Sequence, residues 1–391
     1  MLPQLEAGAV APDESTPRRL PMRVDRAASD RIVEEALASA DILNESQKAN
    51  VRLMADDLLE GRRVWKSVPF RLIFEFNRRC NVQCVHCGID RAGSGEQPLS
   101  NIARLLDQIG WGVMDVMPFA GGEPTLAPLH ELAALLRPRN IWLNLVTNGL
   151  LFSGDYFRPI ADVTARVQYS FHAHRPDAFH RIMPQADYAK VVRNLADGVR
   201  IAEGTDTQVV TCIVLMHDAL DHLESYVRFV AELGVRRVIV QKLYPTTTPN
   251  LDELDPHRGR SGTEIDEVYA RTLATAKRLG VFVETNVPQL FGDPENMARV
   301  RSRFELLQEN AQIVALYRPD FCISTAMQTL VEWNGNVLPC CRDHIVLGNL
   351  ESDPFESCWN GPRMQELRRT HFERTPSPMC ARCRRYWVGH P

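Results

Sequence analysis

Residues 76 to 90 read FNRRCNVQCVHCGID, and three cysteines, Cys80, Cys84 and Cys87, fall within eight positions of it. The segment has no hydrophobic period, so it reads as a loop. Three is an odd number for disulfides, and the spans are too short to staple much. Structural zinc is built on paired C-x2-C knuckles and takes four ligands. A catalytic thiol needs one cysteine and a base elsewhere. An iron–sulfur cluster takes thiolates on separate irons and so suits the uneven C-x3-C-x2-C spacing. Three protein ligands on a four-iron cluster leave one iron open for chemistry. The spacing leans towards the cluster and leaves zinc as the bland alternative.

Outward from this loop the chain alternates. Apolar runs that read as strands are FRLIFEF (70–76), GVMDVMPFA (112–120), IWLNLVTNG (141–149), ARVQYSFHA (165–173), TQVVTCIVL (207–215) and RRVIVQKLY (236–244). Amphipathic stretches lie between them, such as LAPLHELAALLRP (126–138) and YAKVVRNLADGVRIAEG (188–204). Strand and helix in alternation call for a parallel sheet with right-handed crossovers. Six such units fit a partial (β/α)6 barrel better than a closed eight-fold one. Chemistry in such sheets gathers at the C-terminal strand ends. The cysteine loop, Gly121-Gly122-Glu123-Pro124, Thr147-Asn148-Gly149 and Ser170 all fall there.

Upstream, residues 1–30 lack periodicity and read as loose, and 31–60 read as helical. Asn44 or Ser46 is the expected cap, Leu53, Leu58 and Leu59 the apolar face, and Gly61 the stop. The expected units are an N-terminal extension over 1–65, a barrel with following helices over 66–300, and a small α+β unit over 301–391. A strand at VFVET (281–285), helices around 262–279 and 294–316, and a hairpin turn at Trp333-Asn334-Gly335-Asn336 complete the reading.

The chain has 391 residues, 45% of them hydrophobic, enough for a large core. A net charge of −4 gives no sign of nucleic-acid binding. No run reaches the length of a membrane span, and the N-terminus lacks the apolar stretch of a secretory signal. Ten cysteines then belong in a reducing cytoplasm, where clustering points to metal or redox chemistry.

Together the cysteine run, the strand alternation and the glycine motif resemble the radical S-adenosylmethionine (radical SAM) superfamily over roughly residues 66–245. The resemblance implies that Cys80, Cys84 and Cys87 hold a [4Fe–4S] cluster. Its open iron takes S-adenosylmethionine, and reductive cleavage gives a 5′-deoxyadenosyl radical that abstracts a substrate hydrogen. It further implies that Gly121, Gly122 and Glu123 meet the methionyl ammonium, Ser170 the ribose and Arg181 the methionyl carboxylate. Asn148 would line the site, and Ile213 and Leu243 would flank the adenine. His86 stands where the family usually has an aromatic residue.

The C-terminal part resembles the SPASM or twitch module. Cys322, Gly335, Cys340, Cys380 and Cys383 match its pattern, and no further cysteine follows before Pro391. One auxiliary [4Fe–4S] cluster on Cys322, Cys340, Cys380 and Cys383 is therefore expected. Cys341 is an alternative to Cys340, Cys358 and Cys212 read as packed, and zinc on the four thiols is the structural alternative. A fully ligated auxiliary cluster suits electron transfer. The expected reaction is oxidation of a small metabolite, with His172, Lys242, Tyr244 and Glu284 as candidate bases. His174 is a further candidate for proton transfer. A ribosomal-peptide maturase forming thioether or C–C crosslinks and a redox-neutral epimerase, with Cys341 or Cys358 as hydrogen donor, are the alternatives. The expected partner is an electron donor such as flavodoxin or ferredoxin.

Overall fold

The structure is a computed structural model that describes residues 26–38, 40–90, 95–118, 121–243, 248–285, 321–341 and 345–383. Seven parallel strands follow one another in chain order: β1 (Arg71–Phe74), β2 (Asp115–Met117), β3 (Trp142–Thr147), β4 (Thr164–Ser170), β5 (Gln208–Leu215), β6 (Arg237–Lys242) and β7 (Phe282–Thr285). The first six are the strands expected, each trimmed to its β-rich centre, and β7 is the VFVET run. The fold is the expected partial barrel.

The C-terminal unit does not stand apart. Strand β8 (Gln328–Val331) pairs in parallel with β1, and β9 (Asn336–Leu338) and β10 (Gly348–Asn349) continue antiparallel. The sheet therefore runs β10-β9-β8-β1-β2-β3-β4-β5-β6-β7 without a break. The turn at Trp333–Asn336 is the one expected, with Gly335 at φ 81°. The division at residue 300 and the helix around 294–316 lie outside the described residues.

Alternation along each strand sorts side chains to two faces. Leu72, Phe74, Val116, Leu145, Val167 and Tyr169 join the main core. The crossover helices Leu99–Ile109, Leu129–Leu136, Tyr188–Ala202 and Leu223–Glu232 add their apolar stripes to it. Ile73, Met117, Leu330 and Leu338 cluster on the opposite, inner face, and Val210, Cys212 and Ile239 form a second cluster there. Each fully buried Leu, Ile or Val contributes roughly 1.5–3 kcal/mol, so the pattern holds the register firmly.

The helical N-terminal stretch is two helices, Arg26–Ala38 and Glu45–Leu59, where one region was expected. Asn44 is the cap: its Oδ1 accepts from Gln47 N at 2.9 Å, and Gln47 Oε1 accepts from Asn44 N at 3.0 Å. Ser46 instead donates to Trp111 O at 2.7 Å. The buried face is also different from Leu53, Leu58 and Leu59. Val51, Met54, Ala55 and Leu58 are buried, while Leu53 and Leu59 are half-buried. Polar side chains share that face. Asn50 Nδ2 donates to Val68 O and Gly112 O, both at 2.9 Å, and Gln47 Nε2 donates to Val113 O and Asn140 O, both at 2.8 Å. These carbonyls precede β1, β2 and β3, so the helix closes the N-terminal end of the barrel. The opposite end is left for the site.

Candidate active site and auxiliary cysteine site

The cysteine loop leaves β1 through Glu75, whose N–H donates to Val331 O of β8 at 2.8 Å. The Glu75 carboxylate takes Arg78 Nε at 2.8 Å and Nη2 at 3.2 Å, and Trp333 N approaches it at 3.4 Å. A buried carboxylate with a forked arginine partner is a rigid anchor. It fastens the stem of the cysteine loop to the tip of the C-terminal hairpin. Trp333 also covers Gly95, where a Cβ would lie 2.8 Å from the indole ring.

The next two strand ends grip the same loop. Glu123 N donates to Arg79 O at 2.8 Å. A Cβ on Gly122 would lie 2.6 Å from Arg79 O and 2.8 Å from Asn77 O, so only glycine lets these backbones meet. From β3, Asn148 Nδ2 donates to Asn81 Oδ1 at 2.7 Å and lies 3.8 Å from Cys80 Sγ. Beyond β4, Ile182 O accepts from Val85 N at 3.1 Å and Gln185 Oε1 from Gln83 N at 2.9 Å. The segments that follow β1 to β4 thus hold the loop of the three cysteines, which remain partly exposed.

Glu123 does not reach outward. Its Oε1 accepts from Thr147 Oγ1 at 2.7 Å and Thr125 Oγ1 at 2.8 Å, and its Oε2 accepts from Asn148 N at 2.8 Å. Burial pushes its carboxyl up, against the pull of these donors. The side chain braces β2 against β3, and what the motif offers a ligand is its backbone. Ser170 closes β4, partly exposed, with Cys212 of β5 as its Cα partner. Arg181 lies in the last turn of the helix Pro176–Ile182, exposed and 3.3 Å from Asp177, next to the residue that holds Val85. It is thus at the helix end and on the outside, paired within its own helix.

His86 lies edge-on to His172, with ring centroids 4.7 Å apart. Burial lowers the His86 pKa to about 4 and holds His172 well below the ordinary range, with His86 adding to the effect. His172 is 4% exposed and its Nδ1 accepts from Val214 N at 3.3 Å, so it is a wall of the site and is not placed as a base. His174 is half-buried beside His222, and burial lowers its pKa too. Lys242 ends β6, partly exposed. Tyr244 lies outside the described residues. Ile213 and Leu243 are both buried, and Ile213 lines a cavity with His172, Ile182 and Tyr226.

Glu284 of β7 is bound through Oε2 to Arg237 Nε at 3.0 Å and Arg166 Nη2 at 3.3 Å. Burial works to raise its pKa, but the two guanidiniums outweigh that and hold it below the usual range. A carboxylate so paired is a weak base, which argues against its expected role. Cys212 sits nearby on the inner face, its thiol pushed up to about 12 by burial.

At the second site Cys322, Cys340 and Cys380 are buried and Cys383 is half-buried. Cys322 precedes the turn Ile323–Met327. Burial raises its thiol, while the N–H groups of Ser324 and Thr325 and the Thr325 hydroxyl act the other way. Such donors to sulfur are the usual surroundings of a cluster ligand. Cys383 N donates to Cys380 O at 3.0 Å, which sets these two thiols on one short turn. Cys341 is exposed, unlike Cys340. Cys358 is packed as expected, 1% exposed, with burial raising its thiol to about 11. Among the described residues, no three Cys, His, Asp or Glu side chains gather closely enough for a single ion.

Sequence reading missed Glu75, Arg78, Asn81 and Trp333. The one available signal was the alternation of Arg71, Ile73 and Glu75, which sends Glu75 to the inner face at the strand end.

A parallel partial barrel with a three-cysteine loop after β1 and a cysteine-bearing extension beside it defines a class of iron–sulfur enzyme. A Radical SAM superfamily model matches residues 74–230, and the SPASM iron–sulfur cluster-binding domain model matches residues 322–384. The chain belongs to the radical SAM superfamily and carries a SPASM domain; it is a radical SAM enzyme. Its cofactors are a [4Fe–4S] cluster with S-adenosylmethionine and auxiliary iron–sulfur chemistry in the SPASM domain. Among similar proteins, PqqA peptide cyclase of Gluconobacter oxydans is 24% identical over 83% of this chain and 86% of its own. Pre-heme d1 synthase of Dinoroseobacter shibae is 23% identical over 80% of this chain and 78% of its own. The structure of Streptococcus suis SuiB bound to precursor peptide SuiA covers 87% of this chain and 75% of its own, with a TM-score of 0.59 at 15% identity. That likeness is one of fold. No helix among the described residues is long and apolar enough to cross a membrane.

Proposed function

We propose that this enzyme oxidatively modifies a peptide, with Cys80, Cys84 and Cys87 holding the S-adenosylmethionine cluster. Cys322, Cys340, Cys380 and Cys383 hold one auxiliary cluster. When bound, these groups supply a 5′-deoxyadenosyl radical that takes a hydrogen atom and an acceptor for one electron. The chain's own residues do the rest. Asn148 and Gly122 fix the cysteine loop. The backbone of Gly121–Glu123 and the Ser170 hydroxyl face S-adenosylmethionine, while His86 and His172 wall the site against water.

The observation that carries the oxidative outcome is the unbroken sheet. Strand β8 pairs directly with β1, in register from Gln328 opposite Arg71, so the C-terminal unit is built into the barrel wall, with Cys322 and Cys340 flanking its hairpin at the end of the barrel opposite the cysteine loop. Four thiols complete the ligands of a cluster and leave the substrate to the barrel. The peptide assignment is supported by the relatives: a peptide cyclase aligns over 83% of this chain. A small-metabolite substrate is the second reading. It is favoured by residues 26–65, where the described part is helical and closes the barrel floor, and by the pre-heme d1 synthase relative. A low-potential donor such as flavodoxin or ferredoxin supplies the electron for cleavage.

The test is anaerobic. Reconstituted enzyme, S-adenosylmethionine and reductant are incubated with host extract split into peptide and small-metabolite fractions, and 5′-deoxyadenosine is followed by mass spectrometry. Stimulation by the peptide fraction alone is expected. Stimulation by the small-metabolite fraction alone overturns the peptide reading.

A further inference from the structure

We propose that Arg166 and Arg237 form a receptor for a carboxylate of the substrate inside the barrel, with Glu284 as an exchangeable counter-ion. The ladder pairs Arg166 with Gln208, Ser170 with Cys212, Cys212 with Ile239 and Ile239 with Glu284. Partners in a ladder share a face, and Cys212 and Ile239 lie on the inner one. Both arginines and Glu284 therefore project into the barrel, where both guanidiniums converge on one carboxylate oxygen.

The three side chains are unequally covered. Those of Arg166 and Arg237 are 7% and 9% exposed, whereas that of Glu284 is 40% exposed. The cations are fixed in the wall, and Arg237 also lies over the Phe282 ring at 5.0 Å. The carboxylate is the member that water reaches, yet burial still acts strongly on it. Glu284 engages one donor of each guanidinium through a single carboxylate oxygen. An incoming carboxylate can displace Glu284 without leaving a buried cation bare.

Position gives the receptor its use. Glu284 is in the register row of Ser170, and Arg166 lies four residues earlier on β4, about 13 Å along the strand. A carboxylate held here is deeper in the barrel than the strand ends where hydrogen abstraction takes place. The group recognised is thus several bonds from the reacting carbon. Pinning β7 is the bland role, but β7 is already paired with β6 over four residues.

The inference rests on the reading of this chain as a substrate-oxidising radical SAM enzyme and specifies one group on the substrate. In the assay above, each fraction is also supplied after its carboxyl groups have been amidated with methylamine and a carbodiimide. Whichever fraction stimulates, amidation is expected to lower the stimulation about 30-fold, the loss typical of a buried charge pair. Full stimulation by amidated material overturns the receptor whatever the substrate class. If the small-metabolite fraction stimulates and amidation abolishes it, the peptide reading falls and the receptor stands. A second measurement needs no substrate: glutarate is titrated into the holoenzyme by calorimetry. Glu284→Gln is expected to bind it severalfold more tightly than wild type, and Arg166→Gln with Arg237→Gln not to bind it. Equal behaviour of the three proteins overturns the proposal.

Discussion

The two cysteine sites are built on opposite plans. The barrel loop places three thiols within eight positions and is held by hydrogen bonds from the segments that follow β1 to β4, leaving the thiols partly exposed. The C-terminal cysteines proposed for the second cluster, Cys322, Cys340, Cys380 and Cys383, lie far apart along the chain, the first three buried and the last half-buried. The first plan suits a cluster that must meet a small molecule. The second suits one that exchanges electrons only. The sharpest way to break the comparison is to remove each thiol set in turn. Cys80→Ala, Cys84→Ala and Cys87→Ala together are expected to abolish S-adenosylmethionine cleavage and to remove about half of the iron. Retained cleavage in that variant, measured as 5′-deoxyadenosine, would place the catalytic cluster elsewhere.

Cys380→Ala with Cys383→Ala addresses the other side. The barrel cluster and the first cleavage event are expected to survive, while multiple turnover with substrate falls about 100-fold. The readouts are the low-temperature electron paramagnetic resonance signal of the remaining cluster and the ratio of product to 5′-deoxyadenosine. Undiminished product would end the electron-transfer role of the C-terminal site.

The same contrast governs what a sequence can disclose. The barrel loop is local: its three cysteines, the glycine pair and the strand alternation stand in order along the chain, and each was read at the correct strand end. What escaped was direction. Glu123 reads as a ligand contact, but Thr125, Thr147 and Asn148 turn it inward, and those partners become visible only when β2 and β3 are adjacent. Glu284 reads as a base until Arg166, 118 positions away, is found beside it. At the C-terminal site the four thiols are assigned by resemblance to the SPASM pattern, and the packing around them could not be read from the sequence. Trp65 packs against Phe321, beside Cys322, and against Trp359, and Ser67 O takes the Trp359 indole N–H.

That packing gives the next prediction. Arg368 is fully buried between two indoles, its guanidinium carbon 4.2 Å from the Trp65 ring centroid and 4.7 Å from that of Trp359. Its Nη1 donates to Asn360 Oδ1 at 2.7 Å and Arg63 O at 2.9 Å. Trp359 Nε1 donates to Ser67 O at 2.8 Å, and burial lowers the Arg368 pKa to about 9. The cation's desolvation is offset by the ring faces and two acceptors. Arg368→Ala leaves a cavity and two unmet acceptors and is expected to cost about 3–4 kcal/mol. The C-terminal cluster should be lost before the barrel cluster. Arg368→Met, which refills the space, should recover most of the stability. Equal loss of both clusters in the alanine variant would mean that the two sites are one cooperative unit.

The smallest effect separates the sites by pH. His371 is fully buried, edge-on to Phe321 at 5.2 Å and 3.3 Å from the Thr325 hydroxyl, one residue pair away from Cys322. Burial lowers its pKa from 6.5 to about 4. In the window between those values the unfolded chain binds a proton that the folded chain refuses. Stability therefore rises with pH across the window, is complete above the unfolded value and is lost as the pH falls. At pH 5 the loss from this one ring is about 2 kcal/mol. His86 is held to about 4 by burial in the same way, so the barrel loop carries a similar liability of its own. Denaturant unfolding at pH 7 and pH 5, followed by the fluorescence of Trp65 and Trp359, reports on the C-terminal side. His371→Gln should flatten that dependence by about 2 kcal/mol even if it lowers stability at pH 7. An unchanged pH slope in the variant would assign the acid sensitivity to the barrel loop, and with it the weaker of the two sites.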